Sequence, residues 1–136
     1  MRDIKFRAWD KIDKRLTECD FLHFKTNGIG FAFTDKETDH AMVSQILNGD
    51  FELMQYTGLT DKNGKEIYEG DIVIIPNGLS AMESMARGEG TYSINEIYFW
   101  DGSWLAKDSN GTIDYLSDCF EESEIIGNIY ENKELL

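Results

Sequence analysis

Two histidines, two cysteines, 26 carboxylates and 17 aromatic rings are the side chains from which this 136-residue sequence could assemble chemistry. His23 and His40 have no cysteine or second histidine at ligand spacing, and Cys19 and Cys119 lie a hundred positions apart. Neither a zinc site nor a redox pair can be drawn from them. A solitary histidine on a strand more often packs or faces solvent than ligates, and two distant cysteines read as buried, reduced thiols. Asp35-Lys36-Glu37-Thr38-Asp39 and Asp61-Lys62-Asn63-Gly64 have a superficial look of calcium loops. The first has His40 where such a loop needs glycine; the second places its glycine too early and has Ile72, not a carboxylate, at the twelfth position. Gly58, Gly64 and Gly70 recur six apart, but without the flanking residues of a phosphate cradle, and no serine sits in a nucleophile elbow. No catalytic residue, metal ligand or cofactor is assigned.

Aromatic residues are better candidates. Tyr98-Phe99-Trp100 runs directly into Asp101-Gly102, with Trp104 just beyond. On a strand Tyr98 and Trp100 face one way and Phe99 the other, so one face can offer a ring pair to a peptide or to bases. Core packing is the competing reading for each ring. Platforms that stack single strands sit in basic grooves, whereas here 13 basic residues stand against 26 acidic ones, a net charge of −13. At long range such a surface repels polyphosphates and anionic lipid, which makes nucleic acid a disfavoured partner. The charge keeps a strand-rich chain soluble and its edges apart, or it forms an acidic face for a basic partner. The one dense basic group, Lys5, Arg7, Lys11, Lys14 and Arg15, reads as a local positive stripe or as a solvated strand face.

The elements that must position these residues are strands. Asn-Gly occurs five times, at Asn27, Asn48, Asn63, Asn77 and Asn110, and Asp101-Gly102 adds a sixth signal for tight turns that need positive φ. Apolar residues alternate between them: Ile4, Phe6 and Ala8; Ile29, Phe31 and Phe33; Tyr92 and Ile94. Ile72-Val73-Ile74-Ile75, closed by Pro76, is a continuous β-branched run and predicts a central strand buried on both faces. The best-specified element is the hairpin 53–68, where Asp61 suits the first position of a turn and Gly64 its left-handed position. Glu69-Gly70-Asp71 then bends the chain into the buried run. Helix is expected only as a short piece in Ser80–Ala86, in a long hairpin loop, and as a turn within Ser117–Glu124, before a last strand from Ile125 to Tyr130. The N-terminal residues lack a secretory h-region and no apolar run approaches the ~20 residues that span a bilayer, so the expected setting is the cytosol, with no membrane partner.

Three blocks carry a family resemblance. Ile4-Lys5-Phe6-Arg7-Ala8-Trp9-Asp10, then Met54-Gln55-Tyr56-Thr57-Gly58-Leu59 through Asp61-Lys62-Asn63-Gly64-Lys65-Glu66-Ile67-Tyr68-Glu69-Gly70-Asp71-Ile72-Val73, and Ile126-Gly127-Asn128-Ile129-Tyr130-Glu131-Asn132 resemble the signature blocks of the YopX family. That family is carried by phages and prophages of low-GC Gram-positive bacteria. Residues 11–50 and 77–123 match loosely, and Lys133 stands where the closing block commonly has proline. The resemblance implies a mostly β architecture: an N-terminal antiparallel subdomain over 1–52, a C-terminal SH3-like barrel over 53–136, little helix, and self-association. It implies no activity.

These readings converge on a non-enzymatic phage or prophage accessory protein that self-associates and binds a host or phage protein. Single-strand binding on an aromatic face, or imitation of nucleic acid by the acidic surface to occupy a basic host protein, are the alternatives. Turn chemistry accounts for Asp61, Asn63, Gly64 and Gly70 without a ligand. Among signature-block side chains that leaves Tyr56, Lys62, Lys65 and Glu66, together with the rings Trp9, Tyr98, Trp100 and Trp104, as candidates for partner binding.

Overall fold

The computed structural model describes residues 3–25, 28–35, 40–45, 51–76 and 92–136, with the backbone alone for 21, 23–25, 28–35 and 40–45. The chain is mostly β and divides into two compact units, residues 3–55 and residues 56–136.

In the first unit β1 (Phe6–Asp10) and β2 (Arg15–Cys19) form an antiparallel hairpin in which Trp9 faces Leu16 in register. Its turn is fixed by the Asp10 side chain, whose Oδ1 accepts the Ile12 and Asp13 N–H groups at 2.9 and 3.0 Å. β3 (Phe21–Lys25), β4 (Gly28–Asp35) and β5 (His40–Gln45) make a three-stranded antiparallel meander. Ala8 is fully buried, with Cys19, Leu22 and Phe51 around it. Trp9 and Asp10 are buried as well, so the end of β1 is covered on both faces, which simple alternation does not indicate. Ile4, expected to continue the alternation, precedes the strand and is exposed.

β6 (Phe51–Thr60) serves both units: residues 51–55 pair with β1, and in the second unit Tyr56 and Thr60 pair with Tyr68 and Glu66 of β7 (Glu66–Tyr68). The second unit continues with β8 (Asp71–Pro76), β9 (Tyr92–Trp100), β10 (Ser103–Asp108), β11 (Ile113–Tyr115), the four-residue helix α1 (Leu116–Cys119), a 3-10 turn at Phe120–Glu122 and β12 (Glu124–Asn128). Five strands form one antiparallel sheet in the order β11-β10-β9-β8-β12. β8 lies inside it. Ile72 and Val73, which point to opposite faces, are both fully buried, as the unbroken β-branched run predicts. The core of this unit is Ile67, Val73, Ile75, Ile97, Ala106 and Leu116, each large side chain contributing roughly 1.5–3 kcal/mol by leaving water.

The helical turn expected between Ser117 and Glu124 is present as α1 and the 3-10 turn after it, and the last strand ends at Asn128, two residues before the expected Tyr130. Lys133 opens a further 3-10 turn. The expected helical piece at Ser80–Ala86 and the turns at Asn27, Asn48 and Asn77 lie outside the described residues. Among the described residues no helix is long and apolar enough to cross a membrane.

Candidate functional site

Two hairpins of the second unit carry the same turn. In the first, Asp61 Oδ1 accepts the N–H groups of Asn63 and Lys65, each at 2.9 Å. The Asp61 N–H donates to the Lys65 carbonyl at 2.8 Å and the Gly64 N–H to the Asp61 carbonyl at 2.9 Å, with Gly64 at φ +80°. In the second, joining β10 to β11, Asp108 Oδ1 accepts from Asn110 and Thr112 at 2.9 Å each. There Asp108 N–H donates to the Thr112 carbonyl at 3.0 Å, Gly111 N–H donates to the Asp108 carbonyl at 3.1 Å, and Gly111 sits at φ +83°. Every bond corresponds. Asp-x-Asn-Gly folds this way because the aspartate satisfies two orphan N–H groups and glycine takes the left-handed residue without a Cβ penalty. The recurrence is visible in the sequence as Asp61-Lys62-Asn63-Gly64 and Asp108-Ser109-Asn110-Gly111, and tyrosine follows Gly64 and Gly111 at the same distance.

The first turn is built into the unit. Asp61 is only 5% exposed. Its second oxygen, Oδ2, accepts the Ile125 N–H at 3.0 Å. The Lys62 N–H donates to the Ser123 carbonyl at 2.9 Å, and Lys62 Nζ pairs with Glu124 at 3.0 Å. Burial pushes the Asp61 carboxyl upward, but the N–H groups of Ile125, Lys65 and Asn63, with the Lys65 ammonium, outweigh it and hold the group below its ordinary 3.8.

The aromatic face lies on the strands around the second turn. Asp101 at φ +50° and Gly102 at φ +78° make a two-residue turn of the primed kind between β9 and β10. Its register sets Trp100 beside Ser103 and Tyr98 beside Leu105, and Leu105 in turn faces Tyr115 of the edge strand. Trp100 is 69% exposed, Tyr115 58% and Ile113 51%. With Leu105 and Ser103 they line one depression of about 260 Å³ across three adjacent strands. Lys107 Nζ stands 5.5 Å from the Tyr98 ring centre. Phe99 and Trp104 are on the opposite face in an edge-to-face pair, ring centres 4.9 Å apart, with Trp104 packed on the core.

The candidate residues therefore separate. Trp9 is buried in β1, and Tyr56 is buried against Tyr68 with ring centres 5.5 Å apart. Lys62 is ion-paired as described, Lys65 is exposed, and Glu66 is half-buried opposite Thr60. Of the rings, Tyr98 and Trp100 share the solvent face and Trp104 does not. Ile113 and Tyr115 complete that face and were not singled out from sequence; their alternation around Asp114 after an Asp-x-Asn-Gly turn is the signal that marks them. In the basic group, Lys11 pairs with Glu52 at 2.7 Å and Arg15 lies 3.8 Å from Asp13, so the stripe is partly neutralised.

Both cysteines are free thiols. Burial pushes Cys19 up to about 11, with Asp20 adding to the shift. Cys119 is likewise pushed up to about 11 by burial, then by the carboxylates of Asp114, Asp118 and Glu122. Native alkylation by iodoacetamide at pH 8 is expected to run about a hundredfold slower than for an unperturbed thiol, and to accelerate up to pH 11. A native rate equal to that of the urea-unfolded chain would contradict this.

A family model described as YopX protein matches residues 5–136. Among curated proteins none matches. The chain is similar to the crystal structure of protein EF1440 from Enterococcus faecalis, at 27% identity over 100% of this chain and 99% of that one, with a TM-score of 0.65. It shares its fold with protein yopX from Bacillus subtilis, at 23% identity, 97% coverage of each chain and a TM-score of 0.67.

Proposed function

The chain belongs to the YopX family, matched over residues 5–136, and on that premise we propose that it is a binding protein rather than an enzyme, a phage or prophage accessory factor that engages a basic protein partner in the host cytoplasm. One observation carries this reading: Trp100, Tyr115 and Ile113 are solvent-exposed together on one sheet face, around a shared depression. Exposed tryptophan and tyrosine clustered on a rigid sheet are the anchors that protein interfaces use most. The charge selects the partner. Residues 56–136 hold 16 acidic and 5 basic side chains, a net −11, whereas residues 1–55 hold 10 and 8, a net −2. A field of that sign steers cationic partners toward the face and opposes phosphate backbones. The same reading takes the second unit as an SH3-like barrel, on the support of its five antiparallel strands.

A lysine-rich probe peptide tests it. Trp9 is buried and Trp104 half-buried, so acrylamide quenching of the intrinsic fluorescence reports chiefly on Trp100. The probe is expected to shield Trp100 at low salt and to lose affinity as salt rises. Trp100→Ala should weaken binding by about tenfold or more; equal affinity of variant and wild type would sink the reading. The second reading is self-association through this apolar face. A mass doubling that strengthens with salt and disappears in Trp100→Ala would make a second copy the occupant.

A further inference from the structure

The two Asp-x-Asn-Gly turns differ in what they hold. At the first, the chain's own segment Ser123–Ile125 is gripped at both ends: Lys62 N–H donates to the Ser123 carbonyl, and Asp61 Oδ2 accepts the Ile125 N–H. At the second, the corresponding groups are the Ser109 N–H and Asp108 Oδ2. Neither has a hydrogen-bond partner among the described residues. We propose that the Asp108 turn grips an extended, cationic segment of a protein partner as the Asp61 turn grips Ser123–Ile125, with Ser109 N–H donating to the carbonyl of one residue and Asp108 Oδ2 accepting the N–H two residues on.

Three observations support that occupant. The bonds inside the two turns match one for one, so donor and acceptor are presented in the same relation and only the strand is lacking. The turn leads into β11, a sheet edge whose three residues are all exposed, so among the described residues no strand of this sheet stands in the way of an incoming one on its outer side. Beside the turn, Asp108, Ser109 and Asn110 border a depression of about 260 Å³ with Tyr92, Ile94 and Leu136, room for an aliphatic side chain of the segment. Charge fixes the residue between the two gripped ones. At the first turn it is Glu124, paired with Lys62. At the second, serine replaces that lysine, and residues 96–122 carry seven carboxylates against Lys107 alone. Lysine or arginine fits there, and glutamate does not.

This inference rests on the basic-partner reading, and one titration separates the two. The probe is a fluorescein-labelled decapeptide of alternating lysine and valine, followed by anisotropy at low salt. Ser109→Pro removes the N–H at a turn position that accepts proline, without altering charge. Asp108→Asn keeps Oδ1 for the turn and puts an amide donor where Oδ2 accepted. Each is expected to weaken the probe by about tenfold with an unchanged melting temperature, whereas Asp118→Asn, which removes the same charge away from the turn, changes affinity by less than about twofold. In the wild type the Ser109 amide should gain hydrogen-exchange protection when the probe binds. Wild-type affinity in Ser109→Pro and Asp108→Asn, with binding still lost in Trp100→Ala, would overturn the grip and leave the aromatic face as the site. Failure of the wild type to bind the probe at all would overturn both.

Discussion

Replacing Asp61 by alanine is expected to lower the unfolding free energy by about 3 kcal/mol, while the same change at Asp108 costs about 1. The two turns are equal in local bonding, so the difference isolates the tertiary contribution. Asp61→Ala strands the N–H groups of Asn63, Lys65 and Ile125 and opens a hole at a site that is 5% exposed. Asp108→Ala strands those of Asn110 and Thr112, which are exposed and recover water. Urea denaturation of the two variants measures the gap, and the account is falsified if they are equally destabilised. Acid separates them further. Because the Asp61 carboxyl titrates below its ordinary 3.8, its stabilisation is complete above that value and is lost as pH falls through the folded-state pKa. The stability difference between wild type and Asp61→Ala should therefore be constant from about pH 7 to pH 5 and shrink below about pH 4.

Gly127→Ala is the second large effect, with an expected loss of about 2–3 kcal/mol. Gly127 does not occupy left-handed backbone, so the cost is one of contact. A methyl group there would overlap the Asn132 side chain as far back as its Cβ, 2.9 Å away, which rotation about χ1 cannot relieve. Asn132 cannot simply leave. Its Oδ1 accepts the Asn128 N–H at 3.2 Å and its own N–H donates to the Asn128 carbonyl at 2.9 Å, while Asn128 Oδ1 holds Tyr130 and Glu131. Asn132→Gly costs stability alone but should recover about 1 kcal/mol in the double variant. Thermal or urea unfolding of the four proteins of this cycle decides it; strict additivity would mean that the overlap is not the cause.

The closing and central signature blocks thus have a structural explanation. Gly127, Asn128 and Asn132 build one turn, Asp61 ties the central hairpin to β12, and Asp71 Oδ2 accepts the Tyr68 N–H at 2.8 Å in the bend between them. Tyr56 and Lys62, left over once turn chemistry is accounted for, are absorbed by a ring contact and an ion pair. Among the described residues the most exposed rings, Trp100 and Tyr115, lie outside those blocks. That division is in keeping with the binding role proposed above, with the blocks holding the scaffold.

What the sequence determined by itself was local. The turns at Asp61, Asp101 and Asp108 follow from aspartate, asparagine and glycine acting on atoms at most four residues away, and the strands from alternation and the β-branched run at Ile72. The exposure of each ring was not decided at that range. Trp9 and Trp100 both lie near the ends of strands and both precede an aspartate, yet one is buried and the other is not. The Asp61 turn is closed by Ile125, 64 residues away, whereas its twin at Asp108 faces outward. Pattern assigns side chains to the two faces of a strand. Which face is covered depends on segments brought together only in the folded chain, and burial there is what separates a packing residue from a binding one.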